Sequence, residues 1–567
     1  MGKQQRVVVV GGVACGPKAA ARIKRLRPDT DVTIIEKGEL LSYAGCGLPF
    51  YIAGQVKNSN ELMATPTGVV RDTHFFKMVK DITVKNHTLV ESVDREKKLV
   101  HAVSLQTGEA MELPYDDLVL AVGSKYRIPP IEGTDLKGVH FLQTVEDARK
   151  IRNENGPLTG KNAVIIGAGL IGIEVTEAFK KQGMTITIIE RLDNAMGELL
   201  DTEIAYHLHN EIKANDIELR LSESVLNING DDQGNVTSVT TDKGEIPTDI
   251  VLIAVGVAPN IRLAKEMDLE IGSTGAIKTD THMRTSDPSI YAGGDCVENT
   301  NLVTGKPIYA PMGSTANKHG RVIADNICGI ESEFKGVLGT AICKLFNVNV
   351  ARTGLSEKGA KEAGYDYITV LSPSPDKAHF LTDAKMIVIK FIVDKATRKL
   401  LGAQIVGPGD VAKRMEISVA NITSGAMVTD IGHYDLAYAP PFSPAMDNII
   451  TAANIAENKL NGLGLSYTPF EVKEKINQGE DFILLDVRSP EEYEQMRIED
   501  ERVKLVPLGK LRSTLNDLPK NKEIVPFCKI SLRGYEAVRI LEGAGYSNVR
   551  YMDGGIVCWP FEKFIQK

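Results

Sequence analysis

The feature that most constrains the fold is a complete G-x-G-x-x-G in Asn162 to Gly172, NAVIIGAGLIG, set between an apolar run and a helical pattern. Its glycines at 167, 169 and 172 meet three needs: a tight turn, close approach of backbone to a pyrophosphate, and packing of helix on strand. The next strand pattern ends at Glu190, where a carboxylate hydrogen-bonds a free ribose 2′-hydroxyl and repels a 2′-phosphate. NADH is therefore expected over NADPH, with Arg191 beside the acid as the counterweight. A related unit opens the chain. RVVVVGGVACG, Arg6 to Gly16, has Gly11 and Gly16 at the first and third places and Val13 at the second, and DVTIIEK follows with Glu36 placed for another ribose. Two such βα units predict an α/β chain with two Rossmann-like domains.

With 567 residues, 43% hydrophobic and 25% charged, the chain can bury several cores, and roughly 150 residues per domain gives three or four domains. A formal net charge of -8 excludes a general nucleic-acid or membrane-surface role, while local basic clusters remain able to hold a phosphorylated ligand. The seven cysteines show no C-x2-C pair and no zinc-like histidine spacing, so neither a metal site nor a disulfide scaffold is expected and a reducing cytoplasm suits them. No apolar run approaches the ~18 residues of a membrane span. MGKQQR runs straight into a strand, so a signal segment is not expected, and Arg6 stands where a myristoylation motif needs Ser or Thr.

Between the first unit and the second lies Ser42 to Tyr51, SYAGCGLPFY, where Cys46 stands between glycines that are expected to turn tightly against a flat cofactor. Gly-Leu-Pro opens a helix, whose N-terminus is expected to favour a thiolate. Positions 41 and 51 are Leu and Tyr, so Cys46 cannot close a C-x4-C pair and needs a partner thiol from outside. At residues 5 to 460 the chain resembles the single-cysteine pyridine nucleotide-disulfide oxidoreductases, among them CoA-disulfide reductases, NADH oxidases and persulfide reductases.

That resemblance implies FAD and NADH as cofactors. SIYAGGDC, Ser289 to Cys296, resembles the family's second flavin motif and makes Asp295 the flavin anchor, with Gly11, Gly12, Gly16, Glu36, Lys37, Ser42, Gly123 and Ala316 around it. The near-copies DLVLAVG and DIVLIAVG, ending at Gly123 and Gly256, resemble crossover strands between two nucleotide domains. On the nicotinamide side the implied contacts are Gly167, Gly169, Leu170, Ile171, Gly172, Glu190, Gly256 and Glu174, the last beside the ring or else a solvated helix carboxylate. Arg22, Arg25, Ser42 and Lys80 match places that bind CoA, so CoA is a candidate substrate or ligand. Tyr438, in YAPPFS, corresponds to a tyrosine that reaches the partner's cysteine and flavin in a homodimer, or is a packing residue of the seam. The chain departs from the CoA-disulfide reductases at Gly45, Phe50 and Phe380 to Thr382, which removes contacts expected for the pantetheine or the reacting sulfur.

After the glycine-rich NKLNGLGLSY comes a stretch that resembles a rhodanese. IVPFCKISLRG places Cys528 and Arg533 on a loop before a helix, where successive amides form an anion nest around a nucleophilic sulfur. Four residues between them make a ring that fits a persulfide sulfur, one residue shorter than the phosphate ring of protein phosphatases. The alternative is an inactive, regulatory rhodanese. The expected domains are 1–120 with 257–335 for FAD, 121–256 for NAD, 336–457 for dimerisation, a linker at 458–468 and the rhodanese-like domain at 469–567. The expected activity is NADH-driven reduction of persulfide, polysulfide or CoA-disulfide sulfur through FAD and Cys46, with Cys528 handling sulfane sulfur. The alternative is an NADH oxidase or peroxidase that cycles Cys46 through a sulfenic acid.

Overall fold

The computed structural model describes residues 4–153 and 158–566; the expectations that fall on 1–3, 154–157 and 567 lie outside the described residues. It confirms the α/β class and divides into two compact units, residues 1–193 with 217–337, and residues 194–216 with 338–567.

The first unit holds two five-stranded parallel sheets. In the first, strands Ile290–Ala292, Asp117–Leu120, Arg6–Val10, Asp31–Ile35 and Thr83–Lys85 lie side by side. In the second the order is Glu218–Arg220, Thr185–Ile189, Asn162–Ile166, Ile250–Ile253 and Val139–His140. Central strands of parallel sheets are covered on both faces, which is why they read VVVV and IVLI without polar alternation. Val7, Val9, Ile34, Ile35 and Leu118 are almost wholly buried, and each such side chain contributes about 1.5–3 kcal/mol. Each parallel sheet is accompanied by a three-stranded antiparallel meander, Thr88–Asp94 to Ala110–Pro114 in one and Val225–Gly230 to Gly244–Pro247 in the other. The strands of the two near-copies, Asp117–Leu120 and Ile250–Ile253, lie within the two parallel sheets, and the short strands that follow them, Ser124–Tyr126 and Val257–Pro259, pair with each other antiparallel, so the chain enters and leaves the second sheet side by side.

The second unit is built on a five-stranded antiparallel sheet ordered Ala341–Leu345, Val348–Gly354, Leu400–Gly407, Met386–Asp394 and Tyr367–Pro375. Helices Val411–Ser424 and Asn448–Leu460 close one core against it. Residues 194–216, inside the interval 121–256, pack with this unit: Lys390, wholly buried, meets Asp201 at 3.3 Å and Glu203 at 2.7 Å and also pairs with Glu357. The last stretch forms a three-stranded parallel sheet, Val503–Leu505, Phe482–Asp486 and Glu523–Phe527, with apolar cores on its two faces. Of residues 458–468, those through Leu460 complete a helix and Ser466–Tyr467 pair with Tyr551–Met552.

Candidate active sites

The two glycine loops repeat one hydrogen-bond design. Gly12 N donates to Glu36 at 2.6 Å and Gly38 N to the same carboxylate at 2.8 Å, while Ala168 N and Leu192 N donate to Glu190 at 2.8 and 2.9 Å. A carboxylate with about four acceptor positions keeps lone pairs for a ribose after two such bonds. Gly11 and Gly167 have φ of +114° and +102°, and a Cβ there would lie 2.1 Å from Ala121 O and 2.6 Å from Ala254 O. Those glycines are therefore dictated by close backbone packing. Gly169, by contrast, faces open space, as an approaching pyrophosphate requires.

The first parallel sheet ends at Gly293, Gly294 and Asp295. Asp295 is mostly buried, its carboxylate accepts a long 3.5 Å contact from Ser124, and burial pushes its carboxyl up. A desolvated carboxylate so poorly paired suits a hydroxyl-rich ligand chain. Gly123 and Gly256 have open space at their Cα, and Ala316 is buried in the helix Gly313–Ile327. Lys37 is exposed, Ile171 is exposed at 38%, and Leu170 opens the helix that carries Gly172.

Cys46 is the exposed cysteine and the other six are buried. A Cβ on Gly47 would lie 2.5 Å from Leu62 Cδ2, so that side chain would have to shift, whereas Gly45 has ordinary backbone and empty space beside it, so the tight turn expected there is not what selects it. The helix that follows, Leu48–Ile52, is only five residues long. Contrary to the thiolate expectation, the Cys46 thiol is pushed up, first by burial of its surroundings and then by the negative charges of Glu174 and Asp295. Glu174 itself is raised to about 7 by burial. The structure thus brings together Cys46, Glu174 and Asp295, which sequence spacing alone could not connect.

A cavity of about 530 Å³ reaches Ser42, Tyr43 and Ala44, two residues short of Cys46. Lys18, Arg25, Arg71 and Lys80 give it a cationic collar, and Phe75 and Phe76 an aromatic wall. Arg25, Lys80 and Ser42 were expected there. Arg22 is placed elsewhere, bonded to Asp325 at 2.5 Å, because its side of the helix faces Gly313–Ile327. Lys18 and Arg71 join the collar; Lys18 lies two helical turns before Arg25 on the same face, a spacing signal that was available.

In the second unit Cys528 directly follows the strand Glu523–Phe527 and is 1% exposed. Arg533 donates to Glu492 through two bonds of 2.6 and 2.7 Å, which hold the Glu492 carboxyl down at about 2, and the Cys528 sulfur adds to the pull on the guanidinium. Glu492 belongs to the Ser489 capping box, whose second role as the arginine's partner the sequence did not announce. Tyr438 is 54% exposed on a stretch with Phe442 and Met446 also exposed. Among the described residues no group of three His, Cys, Asp or Glu side chains is placed to hold a metal, and no helix is long and apolar enough to cross a membrane.

Residues 5–313 match the pyridine nucleotide-disulphide oxidoreductase family, 340–450 its dimerisation domain and 468–560 a rhodanese-like domain. An NAD-dependent persulfide reductase from A. fulgidus superposes with a TM-score of 0.93 at 45% identity, covering 98% of this chain and 100% of that one. The reduced Bacillus anthracis CoADR-RHD gives 0.92 at 33%, covering 98% of each. The NAD(P)H coenzyme A polysulfide/persulfide reductase of Pyrococcus horikoshii is 36% identical over 452 residues, 80% of this chain and 98% of its own length.

Proposed function

The chain belongs to the pyridine nucleotide-disulphide oxidoreductase family, and from that premise we propose that it reduces persulfide, polysulfide or CoA-disulfide sulfur with NADH, through FAD and Cys46. The observation that carries this reading is a single exposed thiol, under the charge of an acid raised to about 7, two residues along the chain from a cavity with a cationic collar. Gly11, Gly12, Gly16, Glu36, Ser42, Gly123, Asp295 and Ala316 would hold FAD, whose cradle is made by the left-handed Gly11 and the poorly paired Asp295. Bound there, FAD supplies a relay able to take up a hydride and return two electrons. Gly167, Gly169 and Gly172 with Glu190 would hold NADH, the carboxylate disfavouring a 2′-phosphate.

Cys46 as thiolate attacks R–S–SH, forming Cys46–S–S–R and expelling hydrosulfide. One hydride equivalent from NADH, two electrons and a proton, then cleaves that disulfide to the Cys46 thiolate and R–SH. Glu174, raised to about 7 by burial, would hold the proton for the departing sulfur. Arg25, Arg71, Lys18 and Lys80 suit the phosphates of a CoA-type R group. Cys528 carries sulfane sulfur as its own persulfide and delivers it directly or through a small thiol. We assign residues 1–120 and 257–335 to the FAD domain, 121–256 to the NAD domain, 336–457 to a homodimer-forming domain and 469–567 to the sulfur carrier. The buried free cysteines suit a reducing cytoplasm.

The test is an anaerobic acceptor screen that follows NADH loss with CoA persulfide, CoA disulfide, glutathione persulfide, polysulfide and elemental sulfur. Turnover with the sulfur compounds supports the reading; turnover that requires oxygen or peroxide would establish the oxidase alternative instead.

A further inference from the structure

The loop that carries Cys528 is braced by two consecutive left-handed glycines, Gly554 and Gly555, at φ of +73° and +58°. Ile556 N donates to Cys528 O at 2.9 Å, Val557 N to Lys529 O at 3.2 Å, and Gly554 N to Ser531 Oγ at 2.6 Å. A Cβ on Gly555 would lie 2.5 Å from Cys528 O, so nothing but a glycine lets this brace sit against the loop. Ser531 is itself in the left-handed region at φ +90° and is buried, a conformation that costs a non-glycine residue about 1–3 kcal/mol and persists only where neighbours hold it.

The residue before the brace is Asp553, whose side chain does not point at the sulfur loop. It accepts from Leu371 N at 3.0 Å and from Lys459 Nζ at 2.5 Å, one on the sheet strand Tyr367–Pro375 and the other on the last turn of helix Asn448–Leu460. Lys459 Nζ also donates to Thr369 O at 2.8 Å on the same strand. The pair is almost dry, with side chains 7% and 1% exposed, and Asp553 Oδ1 is buried with no hydrogen-bond partner among the described residues. Leu371 also lines the brace, 3.4 Å from a Cβ placed on Gly554. An incompletely satisfied buried ion pair is weak evidence of stabilisation, and its retention calls for another reason.

We propose that Lys459 and Asp553 are positioning residues for Cys528: the sheet domain sets the shape of the sulfur-carrying loop through the bonded path Lys459, Asp553, Gly554, Ser531. The sulfur carrier is then tuned by the domain it is fused to, and is not a passive appendage on a tether. The identification of Cys528 as carrier rests on the proposed function, whereas the mechanical path does not.

The experiment uses the full chain in a Cys46→Ser background, with Lys459→Met, Asp553→Asn, their double variant and Ser531→Ala. Iodoacetamide labelling of the Cys528 peptide is followed by mass spectrometry across the neutral to alkaline range, and thiosulfate-to-cyanide sulfur transfer is measured alongside. Each single variant is expected to change the Cys528 labelling rate by roughly tenfold and to displace its pH midpoint. The double variant is expected to change it no more than Lys459→Met alone, since both ends act on one element. Ser531→Ala, which leaves the buried pair intact, is expected to reproduce the displacement if the pair variants fold poorly. Unchanged labelling profiles in all variants, or additive effects in the double variant, would overturn the path. A wild-type chain that labels as expected but transfers no sulfur would overturn the carrier reading and leave the path standing.

Discussion

Cys46 lies on an exposed turn where burial of its surroundings and the carboxylates of Glu174 and Asp295 raise its thiol, whereas Cys528 is 1% exposed beneath a brace of backbone amides with Arg533 at its rim. The first polypeptide environment opposes a thiolate, so charge at Cys46 has to be favoured by what binds beside it. The second fixes loop and arginine before any substrate arrives. In the proposed function the first sulfur responds to visitors and the second presents cargo, a division of labour expected when electron delivery and sulfur delivery are separate tasks.

Exchanging the two sulfurs one at a time breaks that comparison most severely. Cys46→Ser is expected to abolish anaerobic NADH oxidation by CoA persulfide while thiosulfate-to-cyanide transfer persists; Cys528→Ser is expected to do the reverse, with reduction of free persulfide retained. Loss of both activities in either variant would erase the division. Next is Glu174→Gln. Because burial lifts Glu174 to about 7, the carboxyl is protonated below that pH and its proton is lost above it. The rate is therefore expected to fall as pH rises through about 7, and the glutamine variant to lose on the order of a hundredfold with a flattened alkaline limb, as removal of a general acid requires. The same variant is expected to lower the Cys46 thiol, measured by its alkylation profile, since the largest nearby negative charge is gone.

Smaller again is the collar. Arg25→Ala and Lys80→Ala are each expected to raise KM for CoA persulfide about tenfold at similar kcat, from the loss of a charge-assisted bond, with no change for glutathione persulfide, which has no phosphates. Equal effects on both substrates would remove the phosphate reading. The smallest expected effect is Glu492→Gln: a partly exposed pair is worth about 0–1 kcal/mol, so the melting temperature should barely move, while the Cys528 sulfur gains a less neutralised Arg533 and labels faster. With the Glu492 carboxyl depressed to about 2, the pair's contribution is fully present above the ordinary carboxylate range and is lost as pH falls through about 2.

Much of this architecture is legible from local pattern. Both glycine loops, the acids Glu36 and Glu190 that accept their amides, and the Cys528 loop belong to contiguous motifs, and contiguous motifs survive translation into structure because their geometry is set within a dozen residues. What the sequence concealed depends on distant parts of the chain. Arg22 sits on the same helix as Arg25, yet Asp325, some three hundred positions away, captures it. Gly45 and Gly47 look equivalent, but only Gly47 has Leu62 against its Cα. Lys459 lies in a glycine-rich stretch that reads as a linker, and its buried partner Asp553 is 94 residues further on. The direction of the Cys46 pKa shift was also hidden, because it comes first from burial and then from Glu174 and Asp295, which lie far from Cys46 in the sequence.

The most direct test is to reduce the protein with NADH without oxygen, mix it with a small excess of CoA disulfide, quench in acid and map the adduct by peptide mass spectrometry. A single relay sulfur requires CoA on the Cys46 peptide, released again by further NADH. CoA found on Cys528 alone, or a Cys46 peptide carrying oxygen in place of CoA, would contradict it.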